Sequence, residues 1–228
     1  MFKKDSFFYF LLPASCLLFL VILGLHKHSD LYKLFFLKAE LGIMENLQAI
    51  CLAVTLIFSI KKLKIICHKT KDRKIWIFSV LVFLGLFYIL GEEISWGQHY
   101  FQWSSGKIFS ELNIQNETNL HNISSWFNEK PRAIFEITIF LMCFFIPLFI
   151  DKNKRIAKYI KTKKLTIYIP NKKICFTVLI IIVTEILEDS VDIRKFGVYL
   201  RLSEVEELFV YYFMFLYIRD FYCKLNRN

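Results

Sequence analysis

The sequence predicts an all-α, polytopic membrane protein, and three observations support that fold class. The chain of 228 residues is 56% hydrophobic, with 25 phenylalanines but only 7 glycines, and its mean hydropathy is +0.43. A soluble domain of this length is less apolar, and its apolar residues are interspersed with polar ones. Here they form blocks separated by charged loops. The length suits one domain, so we expect a single integral membrane domain over residues 1–228.

Six apolar blocks are predicted to form helices that span the membrane. A span needs about 20 residues, because the hydrocarbon layer is roughly 30 Å thick and a helix rises about 1.5 Å per residue. The first block lacks a small-residue cleavage site after its apolar run, which favours a retained span over a signal peptide. In chain order the blocks are Phe7–Leu25, Glu45–Ile60, Ile75–Ile94, Pro131–Ile150, Ile174–Asp189 and Ser203–Ile218.

The basic residues predict how these spans are oriented. Of the 30 lysines and arginines, 21 lie before the first block, after the last block, or in the loops that follow blocks two and four. Basic segments stay on the cytoplasmic side, so we expect both termini in the cytoplasm and the chain in a bacterial inner membrane. This distribution accounts for the net charge of +10 without nucleic acid. Membrane lipids are the expected partner.

The acidic residues are distributed in the opposite way. Sixteen of the 20 fall on the predicted outer side, which orientation alone does not require. The shorter blocks reach full length only if some of these carboxylates lie within the outer half of the membrane. A carboxylate at that depth costs a few kcal/mol unless it faces protein, water or a cation. The nine outer basic residues cannot pair with all of them, so we expect an acidic site at the outer face.

The outer loop over residues 95–130, with the end of the third span, carries the most distinctive pattern. The chain reads GEEISWGQHYFQW from Gly91 and NETNLHN from Asn116. If the third helix continues past Gly91, Glu92 and His99 share one helical face, two turns apart. A carboxylate and an imidazole so placed can serve a metal site or an acid–base pair, although polar residues also simply end helices at the interface. The expected catalytic groups are Glu92, Glu93, Glu117 and His121.

A second group of acids lies where the fifth span ends and the sixth begins. Glu185, Glu188 and Asp189 share one face of the fifth span, where like charges oppose helix formation unless a ligand, a metal or an arginine relieves them. A divalent metal ion is therefore a candidate cofactor. Its expected ligands are His99, His121, Glu92, Glu188, Asp189 and Glu207, supported by Gln98, Asn119, Asn122 and Glu185.

The segment Gly91–Asn122 also carries a resemblance. GEEISWGQ followed by QNETNLHN resembles a signature of uncharacterised polytopic bacterial inner-membrane proteins, which implies a family but no particular activity. A more distant likeness is to the membrane-embedded CAAX-type proteases of the Abi family, which carry a Glu-Glu pair followed by Arg, then FxxxH and a later His. Glu92 and Glu93 match the pair, whereas Gly97 stands where the Arg belongs and Glu117 replaces the Phe before His121.

Three functions remain open at this point, and only the first is enzymatic. The first is a metal-assisted enzyme acting on a lipid or lipid-linked substrate at the outer face, where a cation activates water or polarises a phosphoryl or acyl oxygen. The second is a cation- or proton-coupled transporter, which needs carboxylates through the depth of the membrane, whereas this sequence gathers them at one end. The third is an assembly or interaction subunit whose acidic face binds a basic partner.

Overall fold

Every regular element in the described part of the protein is helical. The computed structural model describes residues 5–37, 42–69, 72–113, 116–120, 123–163 and 165–225. The predicted all-α class is confirmed for these residues, and each of the six apolar blocks coincides with a helix. The helices are α1 (Phe7–Leu25), α2 (30–37), α3 (Ile43–Lys69), α4 (Arg73–Glu93), α5 (Gln98–Phe101), α6 (Lys107–Leu112), α7 (125–152), α8 (Lys154–Thr162), α9 (Cys175–Ser190) and α10 (Leu202–Leu225).

Four helices of the described chain are long and apolar enough to cross a membrane. α7 has a shorter apolar part, Ala133–Phe145, and α10 is long enough but carries charged residues near both ends. The predicted membrane class is therefore supported, while the number of spans and the position of the termini remain predictions. The four segments are Phe7–Leu25, Ile43–Lys64, Arg73–Glu93 and Leu165–Ser190.

The chain divides into two compact units, each described here by itself. The first unit consists of Met1–Met44 and Glu136–Asn228, and the second is the continuous stretch Glu45–Phe135. The unit of residues 45–135 holds the outer-loop motif, and the other unit holds the acids of α9 and α10. The two groups of predicted site residues therefore belong to different units.

In the first unit, α10 is the central helix. It is apolar around most of its circumference and buries twelve of its residues, as expected for a helix with neighbours on several sides. α9 packs along it through a buried face of β-branched side chains, Thr177, Val178, Ile180, Ile181 and Thr184. Tyr212 donates a hydrogen bond to the Phe8 carbonyl at 2.6 Å, and Arg219 pairs with Asp5 at 2.6 Å, so α10 also holds α1.

In the second unit, Asp72 caps the start of the long helix α4. The Asp72 carboxylate accepts a hydrogen bond from the backbone N–H of Lys74, which satisfies one of the unpaired donors at the start of α4. α4 then runs as an uninterrupted helix of 21 residues to Glu93. Its far end carries the motif described next.

Candidate functional site

The helix α4 ends at Glu93 and does not continue to His99. Ser95, Trp96 and Gly97 have φ values of 45°, 54° and 95°, so the backbone turns through the left-handed region directly after the helix. Non-glycine residues seldom adopt this conformation, because it costs of order 1–3 kcal/mol per residue and persists only where the surroundings enforce it. The predicted two-turn helical face is therefore wrong in its geometry, although both residues contact the outer loop, Glu92 at the N–H of Leu120 and His99 at Glu117.

The Trp96 side chain folds this turn back against the helix. Its indole N–H donates to Glu92 Oε1 at 3.0 Å, and its ring packs on Gly91, where a β-carbon would lie only 2.9 Å from the ring carbons. The ring also meets Phe87 edge-on, with centroids 5.9 Å apart. Gly91 is thus required for the close approach of the indole to the helix backbone.

Glu92 connects the end of α4 to the outer loop. While Oε1 accepts from Trp96, Oε2 accepts a 2.6 Å hydrogen bond from the backbone N–H of Leu120. The residue is 93% buried, where a carboxylate is tolerated because hydrogen bonds replace its lost water. Glu92 therefore has a clear structural role, beside the catalytic and metal-ligand roles predicted for it.

A cluster of five side chains, termed here the polar cluster, is centred on Glu117. Ser95 Oγ donates to Glu117 Oε2 at 2.9 Å, and Asn119 Nδ2 donates to the same oxygen at 2.5 Å. His99 Nε2 lies 3.2 Å from Glu117 Oε1 and 3.2 Å from Ser95 Oγ. The cluster consists of Ser95, His99, Asn113, Glu117 and Asn119, and Glu92 binds the same loop beside it through the N–H of Leu120.

The polar cluster is nearly closed to solvent, with His99 as its most accessible member. Ser95 and Asn119 are each about 1% exposed, whereas the side chain of His99 is 15% exposed and that of Glu117 is 10% exposed. Asn119 is fixed in turn by Asn113, whose Nδ2 donates to both oxygens of Asn119 at 2.9–3.0 Å. The carboxylate of Glu117 is therefore held rigidly beside an imidazole that borders the surface.

Gln98 fastens the outer loop to the turn from the other side. Its Oε1 accepts from the N–H of Thr118 at 2.6 Å and from the Thr118 hydroxyl at 2.8 Å, while Nε2 donates to the Asn116 carbonyl at 3.0 Å. These bonds span about twenty residues of chain and hold residues 116–120 in place. Gln98 therefore holds the outer loop, and its predicted role in supporting a catalytic or metal site stays a prediction.

The structure places five of the predicted site residues at the outer loop. Of five others, one lies at the end of α4 and four lie in the first unit. Glu93 is half-buried next to Glu92. Glu185 and Glu207 are half-buried and Glu188 and Asp189 are exposed, all four in the first unit. His121 and Asn122 lie outside the described residues. The five brought to the outer loop are Glu92, Gln98, His99, Glu117 and Asn119: Glu117 contacts His99 and Asn119, while Glu92 binds Leu120 and Gln98 binds Thr118.

No group of three His, Cys, Asp or Glu side chains that could hold a metal ion occurs among the described residues. His99 and Glu117 could provide two donors, and another predicted donor, His121, lies outside the described residues. The divalent ion and its ligand set therefore stay predictions. Glu188, Asp189 and Glu207 belong to the first unit, and nothing in the structure tests their part in such a set.

Three relevant residues were not among the predicted site residues. Ser95 follows Glu92 by three positions and precedes His99 by four, so its spacing was a usable signal. Asn113 gives no such signal, because its role depends on a contact with Asn119 across the loop. Glu206 in α10 is 99% buried, whereas its neighbour Glu207, the predicted ligand, is only half-buried. Helix spacing alone does not distinguish these two acids.

The fold and the site together define the class of protein only broadly. The all-helical architecture and the four apolar helices are consistent with an integral membrane protein, and a buried carboxylate–imidazole pair lies beyond the end of one of those helices. The chain matches no protein-family profile, no curated protein and no solved structure. The resemblances drawn from Gly91–Asn122 accordingly remain predictions.

Proposed function

We propose that this is a membrane enzyme that uses His99 and Glu117 as an acid–base pair on a lipid or lipid-linked substrate. The observation that carries the proposal is the 3.2 Å contact between His99 Nε2 and Glu117 Oε1, in which the carboxylate is fixed by Ser95 and Asn119. A carboxylate so held orients the imidazole and fixes which ring nitrogen faces it, which places the ring to act as a general acid or base.

The place of the pair in the chain supports the substrate class. The polar cluster directly follows α4, one of the four helices apolar enough to cross a membrane. Exposed aromatic side chains continue the turn, with Tyr100, Phe101 and Trp103 each at least 42% exposed. Aromatic side chains of this kind are typical of the interface between hydrocarbon and water, where lipid headgroups lie. In this proposal six spans cross a bacterial inner membrane, both termini are cytoplasmic, and the site faces outward.

The experiment is a comparison of lipid turnover by the purified full-length protein and two single variants. The protein is reconstituted with a bacterial lipid extract, and mass spectrometry records which lipid species disappear and which form. We expect turnover by the natural protein, and a loss of about 10²- to 10⁴-fold in His99→Gln and in Glu117→Gln. Hydrogen exchange over residues 116–120 checks that each variant retains its loop.

The matched control is Glu111→Gln, an exposed acid on the neighbouring helix α6. It removes the same charge from the same segment and should leave turnover unchanged. Turnover that persists in His99→Gln contradicts the acid–base role. The absence of any lipid change with the natural protein contradicts the enzymatic proposal itself.

The metal-assisted form of this proposal adds a divalent ion that His99 and His121 would bind. Metal analysis of the purified protein tests it, with His121→Ala and Glu92→Gln as variants. We expect His121→Ala to lose the ion and Glu92→Gln to retain it, because both oxygens of Glu92 already accept hydrogen bonds. Retention in both variants would remove His121 from the ligand set.

A non-enzymatic assembly subunit is the second candidate, and the bonding of Glu92 favours it. Its hydrogen bonds to Trp96 and Leu120 show that an acid of the motif can serve the loop structure alone. An assembly subunit should keep its partner in His99→Gln and lose it only when the loop is disrupted, as in Asn119→Ala. An enzyme should lose turnover in both variants, so the two candidates are separated by His99→Gln.

A further inference from the structure

The helix α8 has a basic face and an apolar face. Lys154, Lys158 and Lys161 recur at intervals of four and three residues and lie along one side. Ile156 and Ile160 are spaced four apart and lie on the opposite side. The segment from Lys152 to Lys173 contains nine basic residues and no acid. α8 is therefore both amphipathic and strongly cationic.

The apolar face of α8 is only partly covered by the protein. Ile156 is 37% exposed and Tyr159 is 59% exposed, while Ile160 is half-buried. No residue of α8 is buried. Exposed branched and aromatic side chains beside a row of lysines are the composition of helices that lie in a membrane interface.

Asn153 makes α8 a helix separate from the apolar helix before it. The backbone at Asn153 is extended, with φ −122° and ψ 100°, so α7 ends at Lys152. The Asn153 side chain then accepts hydrogen bonds from the N–H groups of Arg155 and Ile156 and caps the new helix. The change from an apolar helix to a cationic amphipathic one therefore occurs at one capped break.

The segment after α8 is fixed to the C-terminal part of α10. The Tyr168 carbonyl accepts a 2.8 Å hydrogen bond from the hydroxyl of Tyr217. The ring of Tyr168 stacks on that of Phe221, with centroids 5.8 Å apart. The Ile169 carbonyl accepts a hydrogen bond from Lys224, which also pairs with Asp220 at 2.8 Å. Tyr168 and Ile169, a few positions after α8, are thus fixed to the charged end of α10.

We propose that α8 is a surface helix that binds anionic phospholipids, with its isoleucines toward the acyl chains and its lysines at the phosphate groups. The inference rests on the membrane location in the proposed function but not on the His99 site. Lipid fits better than a soluble acidic protein because α8 is short, follows an apolar helix directly and exposes apolar side chains beside its charges. Each lysine near an anionic surface strengthens docking by about fivefold, so three contribute about a hundredfold.

The test is hydrogen exchange over residues 154–163 of the full-length protein in lipid nanodiscs. One set of discs contains phosphatidylcholine alone, and the other also contains phosphatidylglycerol. We expect exchange in this segment to slow by about fivefold or more when the anionic lipid is present, and the slowing to weaken as salt is added. The triple variant Lys154→Gln, Lys158→Gln, Lys161→Gln should lose the lipid dependence, because glutamine keeps the helix propensity but removes the charge.

The control is a triple variant of the lysines at the end of α3, Lys61→Gln, Lys62→Gln and Lys64→Gln. It removes the same charge elsewhere and should keep the lipid dependence at 154–163. Equal exchange in both kinds of disc would overturn the proposal, and so would lipid dependence that survives in the α8 triple variant. His99→Gln should leave α8 unaffected, so a failure of the acid–base site and a failure of this proposal give different results.

Discussion

At the scale of single residues, the main feature of the polar cluster is that several side chains contact its carboxylate, Glu117. Glu117 receives hydrogen bonds from Ser95 and Asn119 and contacts His99, and Asn113 fixes Asn119 behind it. Donors buried in such a network lose their bonds to water, so each depends on the partner that the fold provides. The cost of removing Glu117 therefore includes the donors left behind.

This dependence gives a prediction for Glu117→Ala. The buried hydroxyl of Ser95 and the amide of Asn119 would each lose an acceptor, which lowers the free energy of opening of the loop by about 1–3 kcal/mol. Hydrogen exchange over residues 116–120 measures this opening directly. Glu111→Ala is the control, since an exposed side chain away from the cluster should change it by less than about 0.5 kcal/mol. Equal effects of the two substitutions would contradict the network.

The composition of the cluster was partly predictable. His99, Glu117 and Asn119 stand out in the sequence because acids, histidines and asparagines are unusual beside an apolar helix. Ser95 offers only its spacing from Glu92 and His99 as a signal, and Asn113 offers none, because its contact with Asn119 forms only when the loop returns to the helix end. The contacts between residues 95–99 and 117–119 depend on that return, which no local spacing encodes.

At the scale of elements, the turn after α4 determines the positions of Trp96, Gln98 and His99 relative to the helix. Its left-handed residues end the helix early, and the Trp96 ring then covers Gly91. Ser and Trp disfavour positive φ, so local propensity predicts a continuing helix, as the periodicity of Glu92 and His99 also does. Tertiary contacts of Trp96 and the loop override both signals.

Substitutions at two glycines of α4 test whether the Trp96 ring packs on this helix, one at the contact and one away from it. Gly91→Ala places a methyl group 2.9 Å from the Trp96 ring and should lower the free energy of unfolding by about 1–3 kcal/mol. Gly85→Ala meets nothing within 4 Å and should instead stabilise the helix by up to about 1 kcal/mol. Thermal unfolding in detergent, followed by tryptophan fluorescence, gives both values. A gain in stability for Gly91→Ala would show that the indole does not rest on the helix.

At the scale of the whole molecule, the helices were the most predictable feature. Long apolar blocks must satisfy their backbone hydrogen bonds internally in a membrane, and a helix does this from local sequence alone. Each predicted block accordingly coincides with a helix. The division into two units was not predicted, because it depends on which helices pack together rather than on how apolar each one is.

The predicted orientation is testable by thiol labelling in intact cells. With the native cysteines replaced by serine, Ser104→Cys should react with a membrane-impermeant reagent, because residues 95–130 are expected outside. Lys163→Cys should react only after the cells are opened, because the basic loop after α7 is expected in the cytoplasm. Both positions are exposed on the protein, so burial does not confound the comparison. Labelling of Lys163→Cys in intact cells would reverse the orientation.

The bonds between α1 and α10 have a consequence for biosynthesis. Phe8 and Asp5 cannot form their hydrogen bonds with Tyr212 and Arg219 until these two residues leave the ribosome, more than 200 residues later. At about 5–20 residues per second, the delay is about 10–40 s. During that interval the first helix made has no access to these two partners. A chain truncated before Tyr212 therefore lacks both of the bonds that hold α1 to α10. Truncation near the C-terminus should accordingly destabilise the N-terminal helix.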